Sequence, residues 1–191
     1  MRWVVLAVSL LAAGCLTARE FTPTLRYTFT PEIPVVAAGQ PADETLAVRP
    51  LESARPYKQN IVYRKGLEIG HYASVEWAEL PADAVGRALR DALLASGRYR
   101  DVGSALDLTK PTYILTGQLR KFDLVKDTQP WYAEVEVRLE VREALGRRLV
   151  WASTLNATEQ LDQDEIGALP AAMGRAVSRL IGEAATGITA R

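Results

Sequence analysis

Apolar and polar residues alternate with a period of two along Ala133, Val135, Val137, Leu139 and Val141 against Glu134, Glu136, Arg138, Glu140 and Arg142. That is the pattern of a strand with one buried and one wet face, and a wet face favours antiparallel neighbours. Ala144-Leu145-Gly146-Arg147 reads as a tight turn into a further strand through Leu149, Trp151, Ser153 and Leu155. Upstream, Tyr113 to Asp123 is a long strand candidate. Asn60 to Arg64 and Ile69 to Trp77, separated by Lys65-Gly66-Leu67-Glu68, form a candidate hairpin. Leu46 to Leu51 is a shorter strand whose Pro50 suits a sheet edge or a strand end.

Two segments carry the helical period instead. Pro81 opens the first at a position where its missing N–H costs nothing, and Val85, Ala88, Leu89, Ala92, Leu93 and Ser96 draw one face before Gly97 stops it. After a polar connection over Asp162 to Gly167, Leu169, Pro170, Met173, Val177, Leu180, Ile181 and Ala184 draw the stripe of a C-terminal helix, with Gly187 as its expected end. The pattern predicts a single α+β (α/β) domain: a mixed, mainly antiparallel sheet of five or six strands packed by two main helices. Residues 16 to 44, with Pro23, Pro31, Pro34 and Pro41, lack a sustained period and read as a semi-rigid spacer. Leu25 to Phe29 alternates weakly within it and is a candidate edge strand.

The N-terminus changes the picture. Trp3 to Gly14 is an uncharged run after Arg2; as a helix it reaches roughly 18 Å, short of the ~30 Å hydrocarbon core. It therefore reads as the h-region of a bacterial export signal rather than a membrane span. The run ends Leu11-Ala12-Ala13-Gly14-Cys15, which resembles the lipobox of bacterial lipoproteins. That resemblance implies removal of residues 1–14 and acylation of Cys15, and several acyl chains anchor a protein where one would not. Leu16, rather than Asp, after the cysteine implies the outer membrane. The expected organisation is 1–14 signal peptide, 15–44 lipidated cysteine and proline-rich tether, and 45–191 domain.

Charge and composition then exclude more than they suggest. The 23 basic and 23 acidic residues of the 191-residue chain cancel, so no global field favours nucleic acid. Cys15 and His71 are the sole cysteine and histidine, too few for a disulfide framework or a Cys/His zinc site. Gly97 to Gly103 lacks the spacing of a phosphate loop. Asp162-x-Asp164 with Gly167 superficially looks like a calcium loop, yet Ile166 and Met173 stand where the ion needs oxygen ligands. No Gly-x-Ser-x-Gly elbow accompanies His71, which reads as structural. Neither catalytic residues nor a cofactor or metal are expected. What remains is a segment dense in large amphipathic side chains, Arg55, Tyr57, Tyr63, Arg64, Tyr72 and Trp77, the residue types that protein interfaces favour.

The chain as a whole also has a familiar order. The lipobox and spacer are followed by Leu46-Ala47-Val48-Arg49-Pro50, then Arg55-Pro56-Tyr57-Lys58-Gln59-Asn60-Ile61-Val62-Tyr63-Arg64. Tyr72, Glu76-Trp77-Ala78, Pro81, Ser96-Gly97-Arg98-Tyr99-Arg100-Asp101-Val102 and Leu115-x-Gly117-x-Leu119-x-x-Phe122 come next. This series resembles the ABC-type transport auxiliary lipoproteins, a family that includes the lipoprotein of the paraquat-inducible system. The resemblance implies a non-enzymatic lipoprotein facing the periplasm from the outer membrane. Its implied partner is an Mce-domain protein of an ABC-driven lipid transport system, and a homo-oligomer suits a ring-shaped partner. Two other function classes stay open: an outer-membrane lipoprotein that activates a periplasmic cell-envelope enzyme, and a lipid-acting hydrolase.

Overall fold

The computed structural model describes residues 23–33, 40–55 and 57–190. The expected signal segment 1–14 and Cys15 lie outside the described residues, as do 16–22 and 34–39 of the expected spacer. The described residues form one mixed sheet of nine strands. These are β1 (Leu25–Tyr27), β2 (Ala42–Val48), β3 (Glu52–Ser53), β4 (Asn60–Lys65), β5 (Glu68–Trp77), β6 (Tyr99–Ser104), β7 (Tyr113–Val125), β8 (Tyr132–Glu143) and β9 (Leu149–Gln160). Two helices, α1 (Pro81–Ala95) and α2 (Leu169–Thr189), accompany them, with a 3-10 turn at Ile166–Ala168 leading into α2.

Strand β7 is the spine. On one flank β8 runs antiparallel along its length and β9 antiparallel to β8, as the period-two pattern predicts. On the other flank β2, β3 and β4 follow one another end to end, each parallel to β7. Outside them β6 joins β2, β5 joins β4 and β1 joins β5. The fold class is the expected one, with nine strands in place of five or six. The additions are β3, which has two residues; β1, which realises the weak alternation at Leu25; and β6. Only Tyr99 and Val102 of β6 are buried, so its polar sequence carries no strand period.

The core lies between one face of the sheet and the helices. Val135, Val137, Leu139 and Val141 of β8 and Leu155 and Ala157 of β9 join Met173, Val177, Leu180 and Ile181 of α2 in one buried cluster. Gly187 does not end α2, which runs on to Thr189. It is a packing residue: a Cβ there would stand 3.1–3.3 Å from atoms of the Trp151 indole. The segment after β1 is also packed. Phe29 meets Trp77 edge to face at 5.4 Å and Phe122 at 5.2 Å, and the backbone N–H of Glu32 donates to Ser178 Oγ of α2 at 2.8 Å.

Among the described residues the opposite sheet face carries no helix. It carries Glu134, Glu136 and Glu140, each paired with a basic side chain, Arg138 and Arg142 both pairing with Glu140. Strand β7 changes phase on the way to it. Leu115 and Leu119 are buried before the register with β8 shifts between Leu119 and Lys121, and Phe122 and Leu124 are buried after it. The interval Leu119-x-x-Phe122 is thus a β-bulge, which inserts one residue and reverses the parity of all that follow.

Candidate functional site

The bulge creates a backbone problem that a side chain solves. Strand β3 pairs with β7 at Gln118 and Leu119, and β4 resumes the pairing at Asp123, so among the described residues β7 lacks a strand neighbour on that flank between them. Tyr57, in the β3–β4 connection, fills the gap: its hydroxyl accepts the N–H of Phe122 at 3.0 Å and lies 3.3 Å from the carbonyl oxygen of Arg120. It also lies 3.0 Å from Asp123 Oδ1, toward which it donates. The Asp123 carboxylate is wholly buried, and Arg55 approaches its other oxygen at 3.1 Å. Burial pushes the Asp123 carboxyl above the usual carboxylate range, against the pull of the Tyr57 hydrogen bond and the Arg55 charge. Burial, and then the negative charge of Asp123, push the Tyr57 phenol up as well.

A second group lies alongside on the open face. Glu134 of β8 accepts from Arg64 at 2.7 Å, Lys121 at 2.9 Å and Asn156 at 3.1 Å. Burial alone would raise this carboxyl; the hydrogen bonds from Lys121, Asn156 and Arg64 together outweigh it and hold Glu134 below its ordinary value. Arg64 also bridges to Asp127 at 3.3 Å, and Asp127 accepts the N–H of Gly66 at the β4–β5 turn. The network therefore ties the hairpin to the β7–β8 connection.

A third group is an aromatic cage on the other side of β4. Tyr63 and Tyr72 meet edge to face at 5.5 Å, and with Trp131 they surround the ammonium of Lys126, at 4.6, 4.8 and 4.3 Å from their ring centres. Lys126 also donates to the Tyr72 hydroxyl at 2.5 Å. Alternation within β4 separates the groups: Tyr63 faces the cage, whereas Arg64 faces Glu134.

The six residues singled out in the sequence are thus distributed rather than gathered. Tyr57 and Trp77 are 2% and 1% exposed and present no side-chain surface. The Trp77 indole N–H lies buried without a hydrogen-bond partner among the described residues, so packing against Phe29 and Phe122 accounts for it. Arg55 is partly exposed above Asp123, Arg64 belongs to the Glu134 network, and Tyr63 and Tyr72 wall the cage. Sequence reasoning missed Asp123, Glu134, Lys126 and Trp131. Asp123 had a signal, a lone carboxylate in the otherwise apolar Phe122-Asp123-Leu124-Val125. The others acquire partners only through cross-strand register. Among the described residues no group of three or more His, Cys, Asp or Glu side chains is arranged to hold a metal. Among them, too, no helix is long and apolar enough to cross a membrane.

The chain belongs to the family of ABC-type transport auxiliary lipoprotein components, whose model matches residues 27–185. Among solved structures it is similar to protein XCC0632 from Xanthomonas campestris, with 20% identity, a TM-score of 0.70 and coverage of 88% of this chain and 93% of that one. It is also similar to the PelC dodecamer from Paraburkholderia phytofirmans, with 15% identity, a TM-score of 0.51 and coverage of 80% and 94%. A third is the hypothetical protein CT253 from Chlamydia trachomatis, with 12% identity, a TM-score of 0.53 and coverage of 78% and 100%. At these identities the likeness is one of fold. No curated protein matches the chain.

Proposed function

We propose that this protein is a non-catalytic, partner-binding lipoprotein. In this reading residues 1–14 are a signal peptide, Cys15 is acylated, and residues 15–44 form the tether, part of which (β1, Phe29 and the start of β2) packs onto the domain; the domain over 45–191 faces the periplasm from the outer membrane. It serves an ABC-driven, Mce-type lipid transport system by binding the Mce-domain protein. The family match over residues 27–185 carries the reading. The site chemistry supports it: Asp123, Glu134 and Lys126 are each engaged by internal partners, as suits positioning rather than proton transfer. Arg55, Tyr63, Arg64 and Tyr72 retain partial exposure and are the proposed contacts. A ring of several copies is part of the proposal, on the model of PelC, which is a dodecamer.

Pull-down from membranes tests it. The wild-type chain is expected to recover an Mce-domain protein, and the Tyr63→Ala plus Arg64→Ala double variant to lose it. Cys15→Ala is expected to leave the outer-membrane fraction. Full recovery with the folded double variant would remove the interface assignment, and unchanged fractionation of Cys15→Ala would remove the anchor.

A further inference from the structure

Register fixes the end of the molecule from which the N-terminal segment enters. Strand β4 is parallel to β7 and ends beside Val125, so the β4–β5 turn lies beyond the C-terminal end of β7. Strand β5 starts at that turn and runs back, and β1 is parallel to β5, with Leu25 opposite Val75. The chain before Leu25 therefore points toward the β4–β5 turn. The β8–β9 turn lies at the other end, next to Glu143, which faces Tyr113.

Covalent geometry limits how far this end can stand from an acylated Cys15. Ten residue steps separate Cys15 from Leu25, and a fully extended chain covers them in at most about 36 Å. The register of β5 on β4 shifts between Asn60 and Val62, so the level of Val75 lies beside Asn60 and Ile61 and the turn is about five positions beyond it, roughly 17 Å at strand spacing. At full stretch the tether thus carries the acylated residue about 19 Å beyond the turn, and a path shortened to about half its full length brings the two level. Leu145, on the opposite turn, lies roughly 30 Å from the level of Leu25 in the other direction, so it reaches the membrane only if the chain doubles back at its full length.

The residues at the near end suit an interface. Lys65, Gly66, Leu67, Glu68 and Ile69 are all exposed. Leu67 is fully so at the apex, and Ile69 is 54% exposed behind it. Apolar side chains flanked by a lysine stem are the combination that settles at a headgroup boundary, where the apolar part is buried and the ammonium stays wet. Acidic residues share this end: Glu68 lies in the turn itself, Asp127 accepts the Gly66 N–H and pairs with Arg64, and Asp162, Asp164 and Glu165 follow β9, separated from the hairpin across the sheet by β7 and β8.

We infer that the β4–β5 turn, with Leu67 at its apex and Ile69 behind it, docks into the headgroup region of the bilayer that holds the lipid of Cys15, and so sets the orientation of the domain. This rests on the acylation proposed above. The test uses the full-length acylated chain in phosphatidylethanolamine–phosphatidylglycerol vesicles. An environment-sensitive fluorophore is placed at Leu67→Cys or, separately, at Leu145→Cys, with headgroup-level spin-labelled lipid as quencher. The expected result is a blue shift and loss of emission at position 67 with neither at 145. Vesicle-bound protein whose probe at 67 stays in water, or is quenched no more than that at 145, would overturn the docking and leave the anchor standing. Chain that carries no acyl group and does not float with the vesicles would overturn the anchor and the docking with it.

Discussion

The hydroxyl of Tyr57 accepts the N–H of Phe122 at 3.0 Å, so a side chain takes the place of a strand where β7 has none. The same oxygen donates toward the buried carboxylate of Asp123. Tyr57→Phe keeps the ring and its packing but leaves a buried N–H and a buried carboxylate oxygen each short of a partner. A loss of about 2–3 kcal/mol follows from the cost of such orphans. Urea unfolding should show a lower midpoint with an unchanged slope.

Glu134 gives the fold a defined response to acid. Its carboxyl is held below the ordinary glutamate value in the folded chain, so the unfolded chain takes up the proton first as pH falls. The stabilisation is complete above the ordinary glutamate range and disappears as pH drops through the folded value. Asp123 acts in the opposite sense, because its raised value makes ionisation costlier in the fold as pH rises. Glu134→Gln is expected to be less stable than wild type near neutrality, with the gap closing in acid. Denaturation midpoints measured across that range would reveal a constant gap if the network were unimportant.

Lys126 is held by three rings, and removing its charge while keeping a stem of similar length isolates that attraction. Lys126→Met is expected to lose about 1–2 kcal/mol, while Lys126→Arg should retain most of it, since a guanidinium also stacks on aromatic faces. Thermal unfolding of the two variants side by side distinguishes the cage from simple packing.

Gly117 of β7 has no room for a side chain. A Cβ there would stand 2.8 Å from the carbonyl oxygen of Arg138 and 2.5 Å from Leu139 Cδ2. Because one of the obstacles is backbone in the neighbouring strand, Gly117→Ala must spread β7 from β8. A loss of about 2–3 kcal/mol is expected, read as a lowered melting temperature with the circular dichroism of the native state preserved.

The parts of this fold that were legible in the sequence are those with an uninterrupted period. Strand β9 and helix α2, and β8 apart from its buried Glu134, each bury one apolar face, so their residues announce their partners. Strand β6 was not legible because an edge position requires only Tyr99 and Val102 to be apolar. The end of α2 was misplaced because glycine stops helices and also admits large neighbours, and at Gly187 Trp151 decides between the two. The clustered aromatics and arginines of residues 55 to 77 were visible as a group. Their division into core, network and cage depends on the bulge at Arg120 and on alternation within β4, neither of which composition encodes.

The parallel attachment of β1 has a mechanical corollary. Tension arriving through the N-terminal segment runs along β1, so it loads the hydrogen bonds to β5 simultaneously in shear instead of unzipping them in turn. Phe29, wedged beside Trp77 and Phe122, lies just behind that joint like a stopper on a cord.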